Sequence, residues 1–289
     1  MNHAQLRAFH AVAEEGGFTR AAAALNVTQP TLSGQVSALE ESYGVRLFER
    51  RGRGVELTDL GRGLLDITRR LFDLELEADQ LLSAARGLKS GRLRVGADAP
   101  YHVIALLAAF NRHYPKIQLS LSFGNSERVL QDLFNRRSDV AVLPDIPSDE
   151  RLHAVAFQRE RIGVFVDRDH DWAGRRSIRL RDLADQRLIL REPGSTTRAI
   201  FEQAMAAAGV TPGAVLEIGS REAVREAVAA GLGIGAVFES EFGNDDRLHL
   251  LAVRDAGLLA TEYAACLQDR QNTPIVHAFF ELLPAKTGG

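Results

Sequence analysis

The sequence predicts an α/β protein with a small helical N-terminal domain, a long connecting helix and two C-terminal α/β lobes. Three patterns indicate this organisation: short amphipathic helices before a basic hairpin, a heptad-like spacing of leucines, and then alternating strand-like and helix-like segments. At 289 residues, of which 45% are hydrophobic and 25% charged, the chain has room for about two domains with buried cores.

The first two helices are short and lie close together in the sequence. Asn2 is a residue type that caps helices, and the apolar positions that follow it at helical spacing are Leu6, Phe9, Val12 and Ala13. The glycine pair at 16–17 should end this helix. Thr19 is expected to cap a second helix at 20–25, and Asn26 is expected to end it in the left-handed conformation.

A third helix follows almost at once, with Thr28 as its predicted cap and Pro30 in its first turn. Its inward positions are Leu32, Val36 and Leu39, and its polar positions are Thr31, Ser33, Gln35 and Ser37. Two helices joined by a short turn, the second with a polar outer face, form a helix-turn-helix, whose second helix enters the DNA major groove. The alternative is a small helical subdomain whose polar residues face water.

A basic hairpin is predicted after the third helix. The apolar anchors before it are Val45, Leu47 and Phe48, and Val55 and Leu57 alternate after it as in a strand. The arginines of this stretch are Arg46, Arg50, Arg51 and Arg53. Because the net charge is −3, a DNA-binding role depends on the placement of these arginines, which suit phosphates or a narrow minor groove.

Residues 2–60 resemble the DNA-binding domain of LysR-type transcriptional regulators through LRAFHAVAEEGGFTRAAAALNVTQPTLSGQVSALEESYGVRLFERRGRGVELTDLG. The resemblance implies a winged helix-turn-helix over residues 1–59. The positions expected to contact DNA are Thr28, Gln29, Thr31, Ser33, Gln35, Arg50, Arg51 and Arg53. Gln35 suits a bidentate contact with adenine, and Ser33 suits a phosphate. The family usually carries a basic residue where this chain has Gly34, which removes a phosphate contact.

Apolar residues then step alternately by four and three along residues 60–88. They are Leu60, Leu64, Ile67, Leu71, Leu74, Ala78, Leu81 and Ala85. This 3.5-residue period is typical of a coiled coil, so we predict a linker helix that pairs with its copy in a second subunit. A single amphipathic helix packed on its own domain is the alternative. Gly87 and the segment 89–92 are interpreted as a hinge.

After residue 90, strand-like and helix-like segments alternate in two series. Buried strands are predicted at 92–98, 117–123, 139–143, 161–167, 187–192, 214–219 and 233–238. Helices are predicted at 101–112, 126–135, 196–208, 221–230 and 274–283. The two series predict two α/β lobes with largely parallel strands.

This region resembles the periplasmic-binding-protein-like effector domain of the same family, so the resemblance covers essentially the whole chain. It implies an effector-binding domain at 91–289, with lobe I at about 91–161 and 267–289 and lobe II at about 162–266. The chain is expected to cross between the lobes near Arg161 and Ala265. A small-molecule effector is expected in the cleft between the lobes.

Ligands of α/β lobes bind beyond the carboxyl ends of strands, where helices begin. Three such corners occur here: ADAPYH at 97–102, GNSE at 124–127 and REPGSTTR at 191–198. The effector-binding candidates at these corners are Asp98, Tyr101, Ser126, Ser195, Thr196 and Thr197.

Each candidate has an ordinary structural alternative. The hydroxyls at 195–197 precede a helix and suit an anion, but they also suit a helix cap. Asp98 suits a ligand ammonium group or a cap for the helix that Pro100 begins, and the cap is favoured. Tyr101 suits a hydrogen bond to the ligand or closure of the cleft, and Ser126 is a ligand contact or a cap.

An anion site beside a carboxylate would suit a small zwitterion. The chain also resembles a LysR subgroup associated with 2-aminoethylphosphonate catabolism, through VGADAPYHV, FGNSERVL, LREPGSTTR and EIGSREAVREAVAAGLGIGAV. We therefore expect a regulator of phosphonate catabolism genes. The alternative is a regulator of the same family that responds to another small metabolite, such as a carboxylate or an amino acid.

A more remote alternative is an α/β enzyme with an appended helix-turn-helix, in which Ser195 would be the nucleophile. No histidine is committed as its base, so we expect no catalytic residues. We also expect no metal and no cofactor. The acidic turn DRDHDWAG at 167–174 is interpreted as a solvated turn, and the single Cys266 as a core residue.

The expected partners are double-stranded DNA with an imperfect inverted repeat, a small-molecule effector and further copies of the chain, as a dimer or tetramer. MNHAQLRAF places His3 and Gln5 before any apolar run, so no secretory signal is expected. No apolar stretch approaches the roughly 18 residues of a membrane span, so we expect a cytoplasmic protein without a membrane partner.

Overall fold

The computed structural model describes residues 1–51, 54–84 and 91–284. The chain divides into two compact units, Met1–Leu82 and Ser83–Gly289. The predicted linker positions 85–88, which include Ala85 and Gly87, and the hinge positions 89–90 lie outside the described residues.

The first unit consists of helices around one β-hairpin. Its elements are α1 (His3–Glu15), α2 (Phe18–Ala24), α3 (Gln29–Tyr43), β1 (Phe48–Arg51), β2 (Gly54–Leu57) and α4 (Asp59–Ala84). The two strands pair antiparallel, so the predicted order of helix, turn, helix and hairpin is confirmed.

Local signals set most of the helix ends in this unit. The Asn2 side chain accepts a hydrogen bond from the Gln5 backbone N–H at 2.9 Å, and the Gln5 side chain accepts one from Asn2, which completes a capping box. Asn26 adopts φ 54°, as predicted. The predicted Thr19 cap is wrong, because α2 begins at Phe18 with Gly17 at its N-cap position and Thr19 inside the helix.

The buried faces of these helices meet in a small core. Leu32, Val36 and Leu39 of α3 are each 2% exposed, as their spacing predicts. Ala21 and Ala22 of α2 are also buried, which lets α2 and α3 pack closely. The hairpin is held to α3 by Glu40, whose carboxylate accepts the backbone N–H groups of Leu47 and Phe48 at 2.7 and 3.3 Å.

Helix α4 has an exposed apolar stripe. Leu60, Ile67, Leu71, Leu74 and Leu82 are between 39% and 73% exposed within the chain. Leu65 and Thr68, on another face, are buried, so the chain covers α4 only in part. Leu60, Ile67, Leu71 and Leu74 are predicted coiled-coil positions, whereas Leu82 is not. The described residues leave this apolar stripe uncovered, as pairing with a second helix requires.

The second unit is α/β. Its elements are β3 (Gly91–Ala97), α5 (Pro100–His113), β4 (Ile117–Phe123), α6 (Ser126–Phe134), β5 (Val140–Pro144), β6 (Leu152–Asp167), β7 (Ser177–Ile178), β8 (Arg187–Arg191), α7 (Thr196–Ala207), β9 (Ala214–Ile218), α8 (Arg221–Ala229), β10 (Ile234–Phe238), β11 (Leu248–Val253), β12 (Leu259–Leu267) and α9 (Pro274–Phe280).

The strands form one hydrogen-bonded path in the order β4-β3-β5-β12-β6-β10-β8-β9, with β11 beside β6 and β7. Strands β3, β4 and β5 are parallel in lobe I, and β8, β9 and β10 are parallel in lobe II. The strands β6 and β12 run antiparallel to their neighbours between these two groups. The sheet is therefore less uniformly parallel than predicted, although each lobe has its own buried apolar core.

The long strand β6 joins the two lobes. It pairs with β12 up to Arg161 and with β10 from Ile162, so its pairing partner changes where a crossing between the lobes is predicted. The return crossing is displaced from its predicted place near Ala265. Residues from Glu262 to Ala265 already pair with β5 of lobe I, so the chain returns earlier, near Leu259.

Two strands predicted to be buried lie at the edges of the sheet. All residues of β9 except Ile218 are exposed, and β4 is buried only at Ile117. Both have an apolar composition, but each has a neighbouring strand on one side only. Within the described residues, no helix is both long and apolar enough to cross a membrane.

Candidate functional site

The predicted DNA-contacting residues lie at the start and on the outer face of α3. Thr28, Gln29 and Thr31 are exposed, whereas Ser33 and Gln35 are half-buried. Thr28 caps the helix: its Oγ1 accepts from the Thr31 backbone N–H at 3.4 Å and is 2.8 Å from Thr31 Oγ1. The polar face is therefore presented outward, and its role in reading bases stays a prediction.

The basic hairpin is described only in part. Arg50 and Arg51 belong to β1, but the positions of their side chains are not described, and Arg53 lies outside the described residues. Arg46, just before the hairpin, is mostly exposed and lies 3.7 Å from Glu40. The arginine contacts with DNA accordingly stay predictions.

In the second unit, the three predicted corners converge between the lobes. The Glu127 backbone N–H donates to Gly194 O at 3.2 Å, and Asn125 Nδ2 donates to Pro193 O at 3.3 Å. These four residues form what we call the interlobe latch. Arg221 of α8 ties in the remaining corner, because its Nη1 donates to Asp98 O at 2.8 Å.

Two cavities open in this cleft and share Arg191, Arg221 and Glu222. The larger, of about 310 Å³, is lined by Asp98, Pro100, Phe123, Gly124, Asn125, Arg191, Glu192, Gly219, Ser220, Arg221 and Glu222. The smaller, of about 60 Å³, is lined by Tyr101, Phe165, Arg191, Thr197, Arg221, Glu222, Val224, Arg225, Ala236, Val237, Glu241 and Phe242. Three of the predicted effector contacts, Asp98, Tyr101 and Thr197, thus line a cavity, whereas Ser126, Ser195 and Thr196 line neither of the two.

The N-terminal turns of four helices surround these cavities. Pro100 begins α5, Asn125 caps α6, Thr197 lies in the first turn of α7 and Ser220 caps α8. Free backbone N–H groups and the positive end of the helix dipole make each such turn attractive to an anion. Four such turns lie around one cleft, whose lining also includes the acids Asp98, Glu192, Glu222 and Glu241.

The structure corrects two of the capping interpretations. Asp98 does not cap α5, whose N-cap position is Ala99. Ser126 does not cap α6, because Asn125 does so by accepting from the Arg128 backbone N–H at 2.9 Å. In each corner the cap lies one residue away from the predicted position, a distinction that spacing alone does not make.

At the third corner, Ser195 occupies the N-cap position of α7 but makes no capping hydrogen bond through its side chain. Ser195 and Thr197 are both 6% exposed, and Thr196 is half-buried. The cap alternative for Ser195 is therefore weakened. Its contact with an effector stays a prediction.

The carboxyl group of Asp98 is already engaged by protein groups. Its Oδ2 accepts from Ser126 Oγ at 3.5 Å and lies 3.9 Å from Arg221 Nη2. Burial raises the pKa of Asp98, and this effect outweighs the opposing effects of Arg221 and Arg191. Asp98 is thus poorly suited to serve as a free carboxylate for a ligand ammonium group.

The arginines of the cleft were missed by sequence reasoning. Arg191 pairs with Glu192 through Nε and Nη2 at 2.8 and 2.9 Å, and Arg221 Nε lies 2.8 Å from Glu241 Oε2. Arg221 follows the Gly219-Ser220 corner, which resembles the three corners that were selected. The Gly-Ser corner before Arg221 is visible in the sequence, but the contact of Arg221 with Asp98 of lobe I is not.

A group of buried acids, one of which lines the smaller cavity, was also missed. Glu160, Glu241 and Glu262 are between 3% and 5% exposed. Burial raises the pKa of Glu262 to about 9, with further contributions from Asp98, Glu241 and Glu160. Burial also raises the pKa of Glu241 to about 7, although the Arg221 guanidinium opposes the shift.

Cys266 lies in the core of lobe I and is fully buried. Burial raises the pKa of its thiol to about 12, so the thiolate that would react with oxidants is disfavoured. The interpretation of Cys266 as a core residue is confirmed. Among the described residues, no group of three or more histidines, cysteines or acids has the arrangement of a metal site.

The chain matches known proteins along nearly its whole length. Residues 3–62 match the family described as bacterial regulatory helix-turn-helix protein, lysR family, and residues 86–287 match the LysR substrate binding domain. A RuBisCO operon transcriptional regulator of Allochromatium vinosum is 34% identical over 235 residues, which are 81% of this chain and 78% of the relative.

Two solved structures are similar throughout the matched regions. Full-length CbnR complexed with its target DNA has a TM-score of 0.71 at 25% identity, over 98% of this chain and 99% of that one. The CcmR regulatory domain of Synechocystis PCC6803 in complex with 2-PG has a TM-score of 0.62 at 30% identity, over 67% of this chain and 95% of that one. These relatives are regulators, so the expectation that the chain is not an enzyme is confirmed.

Proposed function

Because the chain belongs to the LysR family of transcriptional regulators, we propose that it controls transcription in response to a small anionic metabolite bound between Arg191 and Arg221. The observation that carries the proposal is the convergence of four helix N-termini on the cleft these arginines line. The DNA partner is an imperfect inverted repeat, bound in the cytoplasm by an oligomer joined through α4.

The size and chemistry of the cleft favour a compact ligand. Its larger cavity of about 310 Å³ suits a small metabolite. Arginine presents planar donors that match carboxylate and phosphate oxygens, and helix N-termini add further N–H donors. The smaller cavity combines hydrophobic residues, such as Phe165, Val237 and Phe242, with charged and polar ones.

The relatives point to carbon fixation rather than phosphonate catabolism. One is named for the RuBisCO operon, and the CcmR regulatory domain was solved with 2-PG. The expected 2-aminoethylphosphonate link has no support from these names. The engaged state of Asp98 also disfavours a ligand with an ammonium group, so the alternative of another small metabolite fits better. We propose carbon-fixation genes as targets.

Calorimetry with purified full-length protein tests the effector class. Titrations with 2-PG, 2-aminoethylphosphonate and glutamate should give heat for 2-PG and much weaker or no heat for the other two. Arg191→Gln should weaken 2-PG binding at least tenfold, which corresponds to about 1.4 kcal/mol. Arg176→Gln, at an exposed position that lines neither of the two cavities, is the matched control.

Footprinting on the DNA upstream of the gene tests the regulatory role. The protein should protect an imperfect inverted repeat, and 2-PG should change the extent of protection. Preferred binding of 2-aminoethylphosphonate would restore the phosphonate prediction. Absence of heat from every anion would contradict the effector proposal, and absence of protection would contradict the DNA-binding one.

A further inference from the structure

Six charged or titratable residues meet where the two lobes join, and we call them the hinge cluster. They are Asp98, His102, Glu160, Arg221, Glu241 and Glu262. Glu160 and Glu262 belong to β6 and β12, at the crossing between the lobes. Glu262 pairs with Gln158, which lies two residues from Glu160, so both glutamates are on the same face of the sheet.

The cluster joins groups from both lobes. From lobe I, His102 Nε2 lies 3.1 Å from Glu160 Oε1, and Asp98 lies beside Arg221. From lobe II, Arg221 lies 2.8 Å from Glu241. Movement of one lobe against the other changes the distances between these charges, because the groups are fixed to different lobes.

The charges of the hinge cluster do not balance if every carboxyl is ionised. Four carboxyl groups face one guanidinium and one imidazole. Glu160, Glu241 and Glu262, three of the four residues that carry these carboxyl groups, are at least 95% buried. An unpaired buried carboxylate is strongly destabilised, so such a group retains its proton instead. Glu262 is the group without a cation at ion-pair distance among the described contacts of the cluster.

We propose that the hinge cluster holds an exchangeable proton at neutral pH, and that binding of an anion at Arg221 makes the cluster take up a further proton. This coupling rests on the anionic effector proposed above. Arg221 is the connection, since it lines both cavities and also contacts Glu241.

The direction of the coupling follows from Arg221. The guanidinium opposes the rise in the pKa of Glu241, which stands at about 7. An anion beside Arg221 offsets this positive charge, so the pKa of Glu241 rises further and the carboxyl takes up a proton. Binding coupled to proton uptake weakens as pH rises, by up to about tenfold per pH unit for one proton.

The charged groups that shift the pKa values of Glu241 and Glu262 come from several elements packed around them. Those that act on Glu241 are Arg221, Asp98, His102 and Glu160, and those that act on Glu262 are Asp98, Glu241, Glu160 and Arg221. The pair of glutamates and their neighbours therefore titrate as a coupled set. Variants are needed to identify the carrier of the proton.

Thermal unfolding of full-length protein without ligand tests whether the hinge cluster retains a proton, which we call the hinge proton. A carboxyl whose pKa is about 9 when folded and 4.5 when unfolded loses its proton on unfolding, so stability falls between these pH values as pH rises. Glu262→Gln and Glu241→Gln should each flatten this fall, so that their Tm relative to the unchanged protein increases from pH 6 to 9. Glu239→Gln, at an exposed neighbouring position, should follow the unchanged protein.

Calorimetry with 2-PG and with sulfate at pH 8, in buffers of different ionisation enthalpy, then measures how many protons the protein takes up when the anion binds. Uptake of up to one proton is expected, with loss of that uptake in Glu241→Gln. Tm curves of both variants that parallel the unchanged protein would overturn the hinge proton. Binding without any buffer dependence would overturn the coupling. Failure of both anions to bind, with flattened Tm curves in the variants, would contradict the proposed effector and its coupling but support the hinge proton.

Discussion

At the scale of single residues, Gly34 stands where the resemblance to the family implies a basic residue. It lies exposed on α3 between Ser33 and Gln35, and a Cβ added there meets no atom within 4 Å. Gly34→Arg should therefore fit. We expect tighter binding to any duplex, with a salt dependence of log K steeper by about 1, because one more phosphate is contacted.

Gly34→Ala is the matched control for this prediction. It should stabilise α3 by about 0.5–1 kcal/mol without changing the salt slope, because alanine restricts the unfolded chain and adds no charge. An unchanged slope for Gly34→Arg would show that this face of α3 does not approach the DNA backbone.

Gln35 tests base reading on the same helix. Gln35→Ala should lower the preference for the operator over random DNA by about 1–3 kcal/mol, because a bidentate contact with adenine is lost. Competition gel shifts measure this preference. Ser37→Ala, at an exposed position farther along α3, is the control. Equal weakening on operator and random DNA would contradict a base contact.

Residue-scale prediction succeeded where a signal is local. Asn2 and Thr28 cap their helices as expected, because both the side chain and its backbone partner lie within three residues. The cap favoured for Asp98 and the cap alternative for Ser126 were each wrong by one position. The role of Asp98 is instead set by Arg221, which is distant in sequence and therefore leaves no local pattern.

At the scale of elements, the interlobe latch connects the start of α6 with the loop before α7. Gly194 adopts φ +88°, and a Cβ there would lie 2.7 Å from Glu127 Oε2 and 3.1 Å from Asn125 Nδ2. Gly194→Ala should destabilise the second unit by about 1–3 kcal/mol, through backbone strain and loss of the latch contacts. Chemical denaturation measures the change.

Gly257→Ala is the control for the latch, because a Cβ at Gly257 meets no atom within 4 Å and its φ is not in the left-handed region. Hydrogen exchange should show faster exchange at the Glu127 amide in Gly194→Ala only, since this amide donates to Gly194 O. Unchanged protection of that amide would contradict the latch.

The exposed stripe of α4 predicts an interface. Leu74 is 63% exposed, so Leu74→Glu should leave the fold of the chain intact while it places a charge in the coiled-coil seam. We expect the dimer to dissociate at micromolar concentration in analytical ultracentrifugation. Asp66→Asn, at a position off the stripe, should remain dimeric. A dimer of unchanged affinity in Leu74→Glu would place the interface elsewhere.

The sequence predicted helices and strands well where periodicity is long or composition is strongly apolar. It failed at the edges of the sheet, because β4 and β9 have the composition of central strands although no strand covers their second side. It also missed the first half of β6, which pairs antiparallel with β12, and all of β11, which pairs with β6 and β7. Strand order is a property of long-range pairing, which single-sequence patterns do not contain.

At the scale of the whole molecule, the cleft also depends on long-range pairing that sequence patterns do not contain. The corners at 97–102, 124–127 and 191–198 were found because strand ends and helix starts are marked locally. Their convergence depends on β6 and β12, which join the lobes. The arginines and the hinge cluster, which give the cleft its chemistry, become related only through this crossing.

An oligomer that places two helix-turn-helix units on one operator imposes a spacing on the DNA. Each unit must meet the same face of the duplex, so the two half-sites should lie in phase with the helical repeat of about 10–10.5 base pairs. Insertion of about 5 base pairs between the half-sites turns one of them to the opposite face. We expect the tight, bivalent binding to fall to the affinity of one half-site, as measured by quantitative footprinting.

Insertion of a full helical turn is the control and should restore much of the binding, because the phase is recovered. Equal binding to both altered operators would show that the two units do not engage the DNA as a fixed pair. In that case, a ligand in the cleft would have no geometric means of changing how the operator is held.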